Sequence, residues 1–243
     1  MNHAIFCSLL EALQLPVISA AGFERLTRYA AMLCEKNKVM NLTAIRDEEE
    51  VFVRHFADSL AVYAAHPVMP TRMIDVGCGA GFPGLPLKIY LDDLSGHSRT
   101  ALTLLDATRK KIDFLAEVCS ALALENVQPM SARAEDVAAD PLHREQYDLV
   151  VSRAVADLRI LSELCLPFAK VGGTFAPHKS DRSDDEIAGA DRAFRLTGGT
   201  FARQFVYVAA QDAPKSRILL INKTAHTPPA YPRPYAKIKS RPL

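Results

Sequence analysis

The sequence DVGCGAGFPG, from Asp75 to Gly84, is the most informative stretch of this chain. It follows a short apolar run at residues 73–76 and precedes apolar residues with helical spacing at 85–91. Glycines between a buried strand and a helix permit a tight turn and let a ligand touch the backbone. Pro83 suits the first turn of a helix. We therefore predict a strand, a ligand-binding loop and a helix in succession.

Short apolar runs alternate with helical stretches on the C-terminal side of this loop. Such alternation is typical of a mainly parallel sheet with crossover helices. We predict an α/β fold with a Rossmann-like, doubly wound sheet. The expected strands lie at residues 73–76, 101–105, 126–130, 147–151 and 173–176, with a terminal hairpin from 204–208 and 216–221. The expected helices lie at residues 85–91, 109–122, 158–168 and 184–194.

Two flanking segments differ from this central domain, which we place at residues 71–222. Residues 1–70 carry apolar side chains at helical spacing, and Asp47 suits the N-cap of their third helix, so we predict an N-terminal helical extension. Residues 223–243 are rich in proline and basic residues and contain no acid. We predict that this tail is an extended basic segment rather than a packed element.

The composition limits the classes of protein that fit. The five cysteines are odd in number and form no CxxC pair, which argues against a disulfide framework and against a zinc cluster. No apolar run is long enough to span a bilayer, and the N-terminus lacks the basic start of a signal peptide. We therefore expect a cytoplasmic protein without a metal or a membrane partner. The net charge of +1 neither requires nor excludes a nucleic acid.

The glycine loop fits two cofactor classes. Residues 79–84 satisfy GxGxxG, and Asp106 follows at the spacing of dinucleotide-binding domains. Residues 75–81 also match an acid-led DxGxGxG pattern, which resembles the first motif of class I methyltransferases. In either class, Asp106 at the end of the next strand can accept hydrogen bonds from both ribose hydroxyls. We favour the methyltransferase, because the GxGxxG match taken alone is weak. A glycine turn without any ligand would leave Asp75 and Asp106 at two strand ends unexplained.

Further segments, taken in order, resemble one family. They are NLTAI at residues 41–45, HFADSL at 55–60, LDATRKK at 105–111, ARAE at 132–135, SRAVA at 152–156, LSELCLP at 161–167 and YPR at 231–233. Together with the loop, they resemble the bacterial RsmG family, also called glucose-inhibited division protein B. The resemblance runs from about Asn37 to the YPR segment.

The resemblance implies a class I methyltransferase with an N-terminal helical extension. It implies S-adenosylmethionine as cofactor and methylation of guanine N7 in the 530 loop of 16S ribosomal RNA, either naked or in a small-subunit particle. By motif position, the family's cofactor contacts fall on Gly77, Phe82, Ala134, Glu135 and Arg153. The loop argument adds Asp75, Gly79, Gly81 and Asp106.

Each assignment has a plainer alternative. Glu135 could instead complement the dipole at a helix N-terminus, and Arg153 could form a surface salt bridge. His55 and Asp58 lie three residues apart on one helix face and are more typical of a packing or capping pair. For the whole chain, the alternatives are a small-molecule methyltransferase and a nucleotide-binding regulator without catalysis.

Basic residues are candidates for RNA contacts. On the helix after Asp106 they could instead form a solvated face, and Lys179 follows Pro177-His178, where the family usually has an apolar residue before the lysine. The candidates are Arg109, Lys110, Lys111, Lys179, Arg233, Lys237 and Lys239.

The expected chemistry requires little from the protein. Guanine N7 has a free lone pair and no proton, so no general base is needed and catalysis reduces to in-line positioning and desolvation. Arg153 is the residue to which we assign the catalytic, positioning role. Neither an NPPY-like motif for exocyclic amines nor a Pro-Cys nucleophile for cytosine occurs.

Overall fold

Seven strands form one sheet in the computed structural model, which describes residues 1–153, 156–180, 184–209 and 214–243. The strands are β1 (Arg72–Val76), β2 (Ala101–Asp106), β3 (Val127–Ser131), β4 (Tyr147–Arg153), β5 (Ala169–Ser180), β6 (Gly199–Tyr207) and β7 (Ser216–Lys223). Their order is β3-β2-β1-β4-β5-β7-β6. Strands β1 to β5 pair in parallel, whereas β7 is antiparallel to both β5 and β6. The predicted α/β, doubly wound sheet is confirmed.

Five helices follow the strands. They are α5 (Gly84–Ser95), α6 (Arg109–Ala121), α7 (Ala134–Val137), α8 (Leu158–Cys165) and α9 (Asp184–Leu196). The sheet order reverses beside β1, which has β2 on one side and β4 on the other. Ligands of doubly wound folds bind at such a switch point, outside the carboxyl ends of the strands. The glycine loop lies there, between β1 and α5.

The N-terminal extension is helical, as predicted. It comprises α1 (His3–Ala12), α2 (Ala20–Met40), α3 (Glu48–Val51), a π-helical segment (Phe52–Ala57) and α4 (Asp58–Ala65). Asp47 caps α3 by accepting a hydrogen bond from the Glu50 N–H. Side chains of Phe6, Phe23, Phe52 and Phe56 form a connected aromatic cluster. These aromatic contacts join α1, α2 and the π-helical segment of the extension to one another.

Alternate residues of the strands pack on opposite faces of the sheet. Met73 of β1 belongs to a core shared with the N-terminal extension, α5 and α6. Its neighbour Ile74 belongs to a second core, shared with α8 and α9. Because successive strand side chains point to opposite faces, both faces of β1 are buried. The extension therefore covers one face of the sheet and approaches the glycine loop from that side.

The expectation of an extended basic tail is wrong. Lys223 is the last residue of β7 and is fully buried, and the chain forms a further helix, α10 (Tyr235–Ser240), with Ile238 in the second core. Arg233 donates to both carboxylate oxygens of the fully buried Glu163, at 2.7 and 2.6 Å. An ionised buried carboxylate needs such a partner, so this arginine fastens the tail to α8. The division into residues 1–70, 71–222 and 223–243 stays a prediction.

Candidate active site

A cleft of about 450 Å³ opens at the carboxyl ends of β1 and β2. We call it the glycine-loop cleft. Its walls come from the loop, from the end of β2, from β4 and from the N-terminal extension. The lining residues are Leu42, Thr43, His55, Gly77, Cys78, Gly79, Ala80, Phe82, Asp106, Lys111 and Arg153. Five of the predicted cofactor residues, namely Gly77, Gly79, Phe82, Asp106 and Arg153, thus line one space.

Asp106 fixes the mouth of this cleft. Its Oδ2 accepts a hydrogen bond from the Gly79 N–H at 3.0 Å, and its Oδ1 accepts from the Thr108 N–H at 2.8 Å. A carboxylate has about four acceptor sites, so Asp106 keeps capacity for a ligand's hydroxyl groups. Lys111 lies 3.8 Å from the Asp106 Oδ2 and places a positive charge at the same mouth.

Gly79 leaves room for a ligand against the backbone. Its φ of +58° lies in the left-handed region, and a Cβ added there would meet no atom within 4 Å. The space that a side chain would fill is therefore open cleft. This geometry fits a ligand that touches the loop backbone.

Asp75 and Gly81 lie behind the loop rather than along the cleft. Asp75 is fully buried, and its Oδ2 accepts from the Gly84 N–H at 2.7 Å. Burial raises the pKa of this carboxyl to about 7. A Cβ at Gly81 would collide with the Tyr29 hydroxyl and the Leu115 side chain. Both residues shape the loop in this structure, and direct contact with a cofactor stays a prediction for them.

Arg153 is the charged centre of the site. Its Nη1 donates to the Asp58 Oδ2 at 2.9 Å, and its Nη2 lies 3.0 Å from the Nδ1 of His55. Its guanidinium also lies over the Phe82 ring, 4.8 Å from the centroid. The side chain is only 14% exposed. Arg153 therefore does form an ion pair, as the alternative of a salt bridge expects, but the pair is mostly buried and lies at the glycine-loop cleft rather than on the surface.

His55 is a neutral hydrogen-bond acceptor toward Arg153. A guanidinium only donates hydrogen bonds, so the His55 Nδ1 must accept from Arg153. The ring proton of the neutral imidazole therefore lies on Nε2, which is 2.7 Å from the Thr43 Oγ1. Burial, and then the charge of Arg153, lower the pKa of His55 to about 3. The ring stacks on Phe82 with centroids 4.3 Å apart. His55 therefore orients Arg153 and Phe82 together.

Asp58 joins the extension to three strands. Besides Arg153 of β4, it accepts a hydrogen bond from the Tyr207 hydroxyl of β6 at 2.6 Å. Its backbone carbonyl lies 3.0 Å from the Nε2 of His178 on β5. Burial opposes the ionisation of Asp58, but its charged and hydrogen-bonding partners outweigh burial and hold its pKa below the usual range. The carboxylate is thus ionised, and each of its oxygens has a partner in the protein.

A second cleft, of about 400 Å³, lies on the other side of Arg153. We call it the Glu186 cleft. Arg153 lines both clefts. The other described residues that line it are Asp58, Ala156, Leu161, His178, Lys179, Ser180, Glu186, Pro214, Lys215 and Ser216.

The remaining predicted residues line neither of the two clefts. Ala134 and Glu135 begin α7, just after β3, where Glu135 also suits the helix dipole. On α6, Arg109 pairs with Asp113 on the surface. Lys110, Lys237 and Lys239 are exposed. Arg233, in contrast, is bound to Glu163.

Sequence reasoning missed the roles of His55 and Asp58. Their three-residue spacing suggested a packing pair, whereas the π-helical segment and α4 aim both at Arg153. Their place in the HFADSL segment was the available signal. Tyr29, whose hydroxyl donates to the Ala80 carbonyl, had no such signal.

Within the described ranges, no three histidine, cysteine, aspartate or glutamate side chains are grouped closely enough to hold a metal ion. None of the helices in these ranges combines the length and the apolar character that crossing a membrane requires.

Residues 23–213 match the sequence model of the family described as rRNA small subunit methyltransferase G. The chain belongs to this family. It is 42% identical over 231 residues to the ribosomal RNA small subunit methyltransferase G of Alkaliphilus oremlandii, which covers 93% of this chain and 92% of the relative. The protein of the same name from Clostridium botulinum is 38% identical over 223 residues, which are 91% of this chain and 90% of that one.

Membership of the rRNA small subunit methyltransferase G family makes the chain an S-adenosylmethionine-dependent methyltransferase of ribosomal RNA. The resemblance of the motifs is thereby confirmed. The dinucleotide-binding, small-molecule and non-catalytic alternatives are set aside.

Solved structures agree on the fold. TrmN from Thermus thermophilus has a TM-score of 0.52 at 16% identity, over 71% of this chain and 53% of that one. The YcgJ protein from Bacillus subtilis has a TM-score of 0.50 at 13% identity, over 70% and 98% of the two chains. These likenesses show the fold alone.

Proposed function

We propose that the chain transfers a methyl group to N7 of a guanine in the 530 loop of 16S ribosomal RNA, without a general base. The observation that carries this proposal is the state of His55 in the glycine-loop cleft. Its Nδ1 lone pair is engaged by Arg153, and its pKa is about 3. It is therefore poorly placed to take a proton from a substrate, and guanine N7 has none to give.

The glycine-loop cleft is the proposed cofactor site. S-adenosylmethionine, when bound, supplies an electrophilic methyl group. We propose that the Gly77 and Gly79 backbone lies against it and that Asp106 accepts hydrogen bonds from its ribose hydroxyls. Phe82 and Arg153 close the cleft, and Ala134 and Glu135 hold the adenine end. Asp75 and Gly81 support these contacts by fixing the loop.

Arg153 has a positioning role in this mechanism. Asp58 and His55 hold its guanidinium from two sides, so its charge stays at the border between the two clefts. Arginine keeps its charge throughout the physiological range and does not act as a base. Its contribution is therefore to align the reacting groups, for which small displacements are costly.

The proposed RNA surface uses exposed basic side chains. Lys110 of α6 and Lys237 and Lys239 of α10 are exposed and free to reach phosphates. Arg109 would have to exchange Asp113 for RNA, and Lys111 and Lys179 face the two clefts. The substrate is 16S ribosomal RNA, naked or assembled in a small-subunit particle.

Mass mapping of ribosomal RNA tests the proposed function. RNA from cells that lack this protein should lose 7-methylguanosine in the 530 loop. The wild-type chain should restore it, and the Arg153→Ala variant should restore much less. An unchanged methylation pattern in the deletion strain contradicts the proposal.

Calorimetry tests the proposed cofactor site. Asp106→Ala should weaken S-adenosylmethionine binding by about 1–3 kcal/mol, because the ribose loses a charged acceptor. Asp113→Ala, an exposed acid on the neighbouring helix, is the matched control and should bind normally. Asp106→Asn removes the negative charge but keeps an oxygen that can accept from the Gly79 N–H. It therefore separates the effect of the charge on affinity from the effect of a changed loop. Unchanged affinity in Asp106→Ala rules out this assignment.

A further inference from the structure

The Glu186 cleft has a built polar wall that the cofactor site does not use. Glu186 of α9 uses Oε1 to accept from the Leu158 N–H and from the Lys179 Nζ, both at 2.6 Å. The Lys179 Nζ also donates to the Ala156 carbonyl at 3.0 Å. The two side chains are mostly buried, at 21% and 13% exposed. They are therefore held in one orientation at the cleft wall.

We propose that the Glu186 cleft holds the methyl-accepting guanine and that the Glu186–Lys179 pair reads its Watson–Crick edge. This inference rests on the proposed function, because it assumes that the accepted base is guanine. Enzymes that modify a base commonly take it out of the stack and read that edge in a pocket. The volume of the cleft, about 400 Å³, is in the range of small-ligand sites.

The position of Arg153 supports this arrangement. It lines both clefts, so a cofactor in one and a base in the other meet at its guanidinium. In β4 and β5, Arg153 and His178 lie side by side in register, followed on β5 by Lys179. The lysine is therefore one residue beyond the strand position that faces Arg153.

Among the described contacts of this cleft, Glu186 is the carboxylate that keeps one oxygen without a protein donor. Asp58 also lines the cleft, but its two oxygens accept from Tyr207 and Arg153. Within the described residues, Glu186 accepts on Oε1 alone, from the Leu158 N–H and the Lys179 Nζ. A carboxylate offers about four acceptor sites, so the second oxygen of Glu186 can accept from a ligand.

The pair matches guanine by its order of donors and acceptors. The Watson–Crick edge of guanine presents two donors, the 2-amino group and N1–H, followed by one acceptor, O6. Glu186 offers acceptors and Lys179 offers a donor next to them. Adenine presents an acceptor at N1, which would face a carboxylate unfavourably. Recognition from this edge leaves guanine N7 unbound and free to attack.

The test compares guanosine with inosine, which lacks only the 2-amino group. Wild-type protein is given 16S RNA with guanosine or inosine at the target position, both naked and in reconstituted small-subunit particles. The inosine substrate should have a kcat/KM about 10- to 100-fold lower, because it cannot donate the 2-amino hydrogen bond to a charged acceptor. Equal values for the two substrates in the wild type overturn the inference without any variant.

The Glu186→Gln variant localises the effect. Its kcat/KM on guanosine RNA should fall about tenfold or more, and its preference for guanosine over inosine should approach one. Its S-adenosylmethionine affinity by calorimetry should equal that of the wild type. Asp191→Asn, an exposed acid on the same helix, is the control and should keep the wild-type preference. Full preference in Glu186→Gln overturns the assignment of Glu186.

The position of the methyl group separates this inference from the proposed function. If the wild type places the methyl group on another atom, or leaves guanosine RNA unmethylated, the proposed function fails and the inference falls with it. If the product is 7-methylguanosine and the two substrates are used equally, the inference alone fails.

Discussion

Two arginine–carboxylate pairs in this protein have similar chemistry and different roles. Arg153 with Asp58 and Arg233 with Glu163 are both charge-assisted pairs, and each arginine side chain is 14% exposed. Arg153 borders two clefts, whereas Arg233 lies in the tail and meets a glutamate of α8 that is fully buried. The surroundings of an ion pair, more than its chemistry, therefore decide whether the pair serves the site or stabilises the fold.

The largest expected effect is on folding, at Arg233. Arg233→Ala leaves Glu163 buried without its partner, which should lower the free energy of unfolding by about 3 kcal/mol or more. Denaturant titration measures this loss. The double variant Arg233→Met with Glu163→Leu should recover most of it, because no charge then remains buried. A loss below about 0.5 kcal/mol in the single variant would mean that the pair does not hold the tail.

Arg153 should instead affect rate. Arg153→Ala should lower the single-turnover methyl-transfer rate about 100-fold, since the reacting groups lose their alignment. Its free energy of unfolding should fall less than that of Arg233→Ala, because the Asp58 carboxylate keeps the Tyr207 hydroxyl and lies at a cleft. Arg153→Lys, which keeps the charge but not the planar fork, should be intermediate. A wild-type methyl-transfer rate in Arg153→Ala would exclude a role for Arg153 in the reaction.

The exposed lysines of the tail should have a smaller effect, limited to RNA. Removing Lys237 and Lys239 together should flatten the log–log salt dependence of RNA binding by roughly 0.7–0.9 for each phosphate that is no longer neutralised. Cofactor affinity should not change. Side-chain substitution is preferable to truncating the tail, because truncation would also remove Arg233 from Glu163. Equal slopes in variant and wild type would exclude these lysines as phosphate ligands.

The smallest expected effect is that of pH on the chemical step. At saturating substrates the single-turnover rate should change less than about twofold between pH 6 and 9. His55 is neutral across that window because its pKa is about 3, and the lowered pKa of Asp58 keeps it ionised. Asp75, with a pKa of about 7, lies behind the loop, so its ionisation should alter cofactor affinity below saturation rather than the saturated rate. A tenfold rise with a single apparent pKa would contradict the base-free mechanism.

The same pKa shifts give the sign of acid destabilisation. Asp58 and His55 both have folded-state pKa values below their ordinary ones. The unfolded chain therefore takes up protons first as the pH falls, and stability that is present above about pH 6.5 is lost progressively below it. Asp75 acts in the opposite direction, since its raised pKa favours the folded state at low pH and that contribution disappears as the pH rises through 7.

Local patterns in the sequence were sufficient for the fold and for one cleft. The alternation of strands and helices is set by apolar periodicity, which each segment carries in itself. The glycine loop and Asp106 meet because the carboxyl ends of neighbouring parallel strands lie at one edge of a sheet. Gly77, Gly79, Phe82, Asp106 and Arg153 were accordingly predicted as site residues and line the same cleft.

The tertiary structure alone decided what the charged side chains do. Basic composition suggested an exposed tail, but Glu163 lies in α8, 70 residues from Arg233, and no local pattern joins them. Arg153 meets Asp58 across 95 residues. The Glu186 cleft gathers residues from α4, β4, β5 and α9. Periodicity reports which face of an element is buried, whereas the partner of a buried charge depends on how distant elements pack, and only the folded chain fixes that.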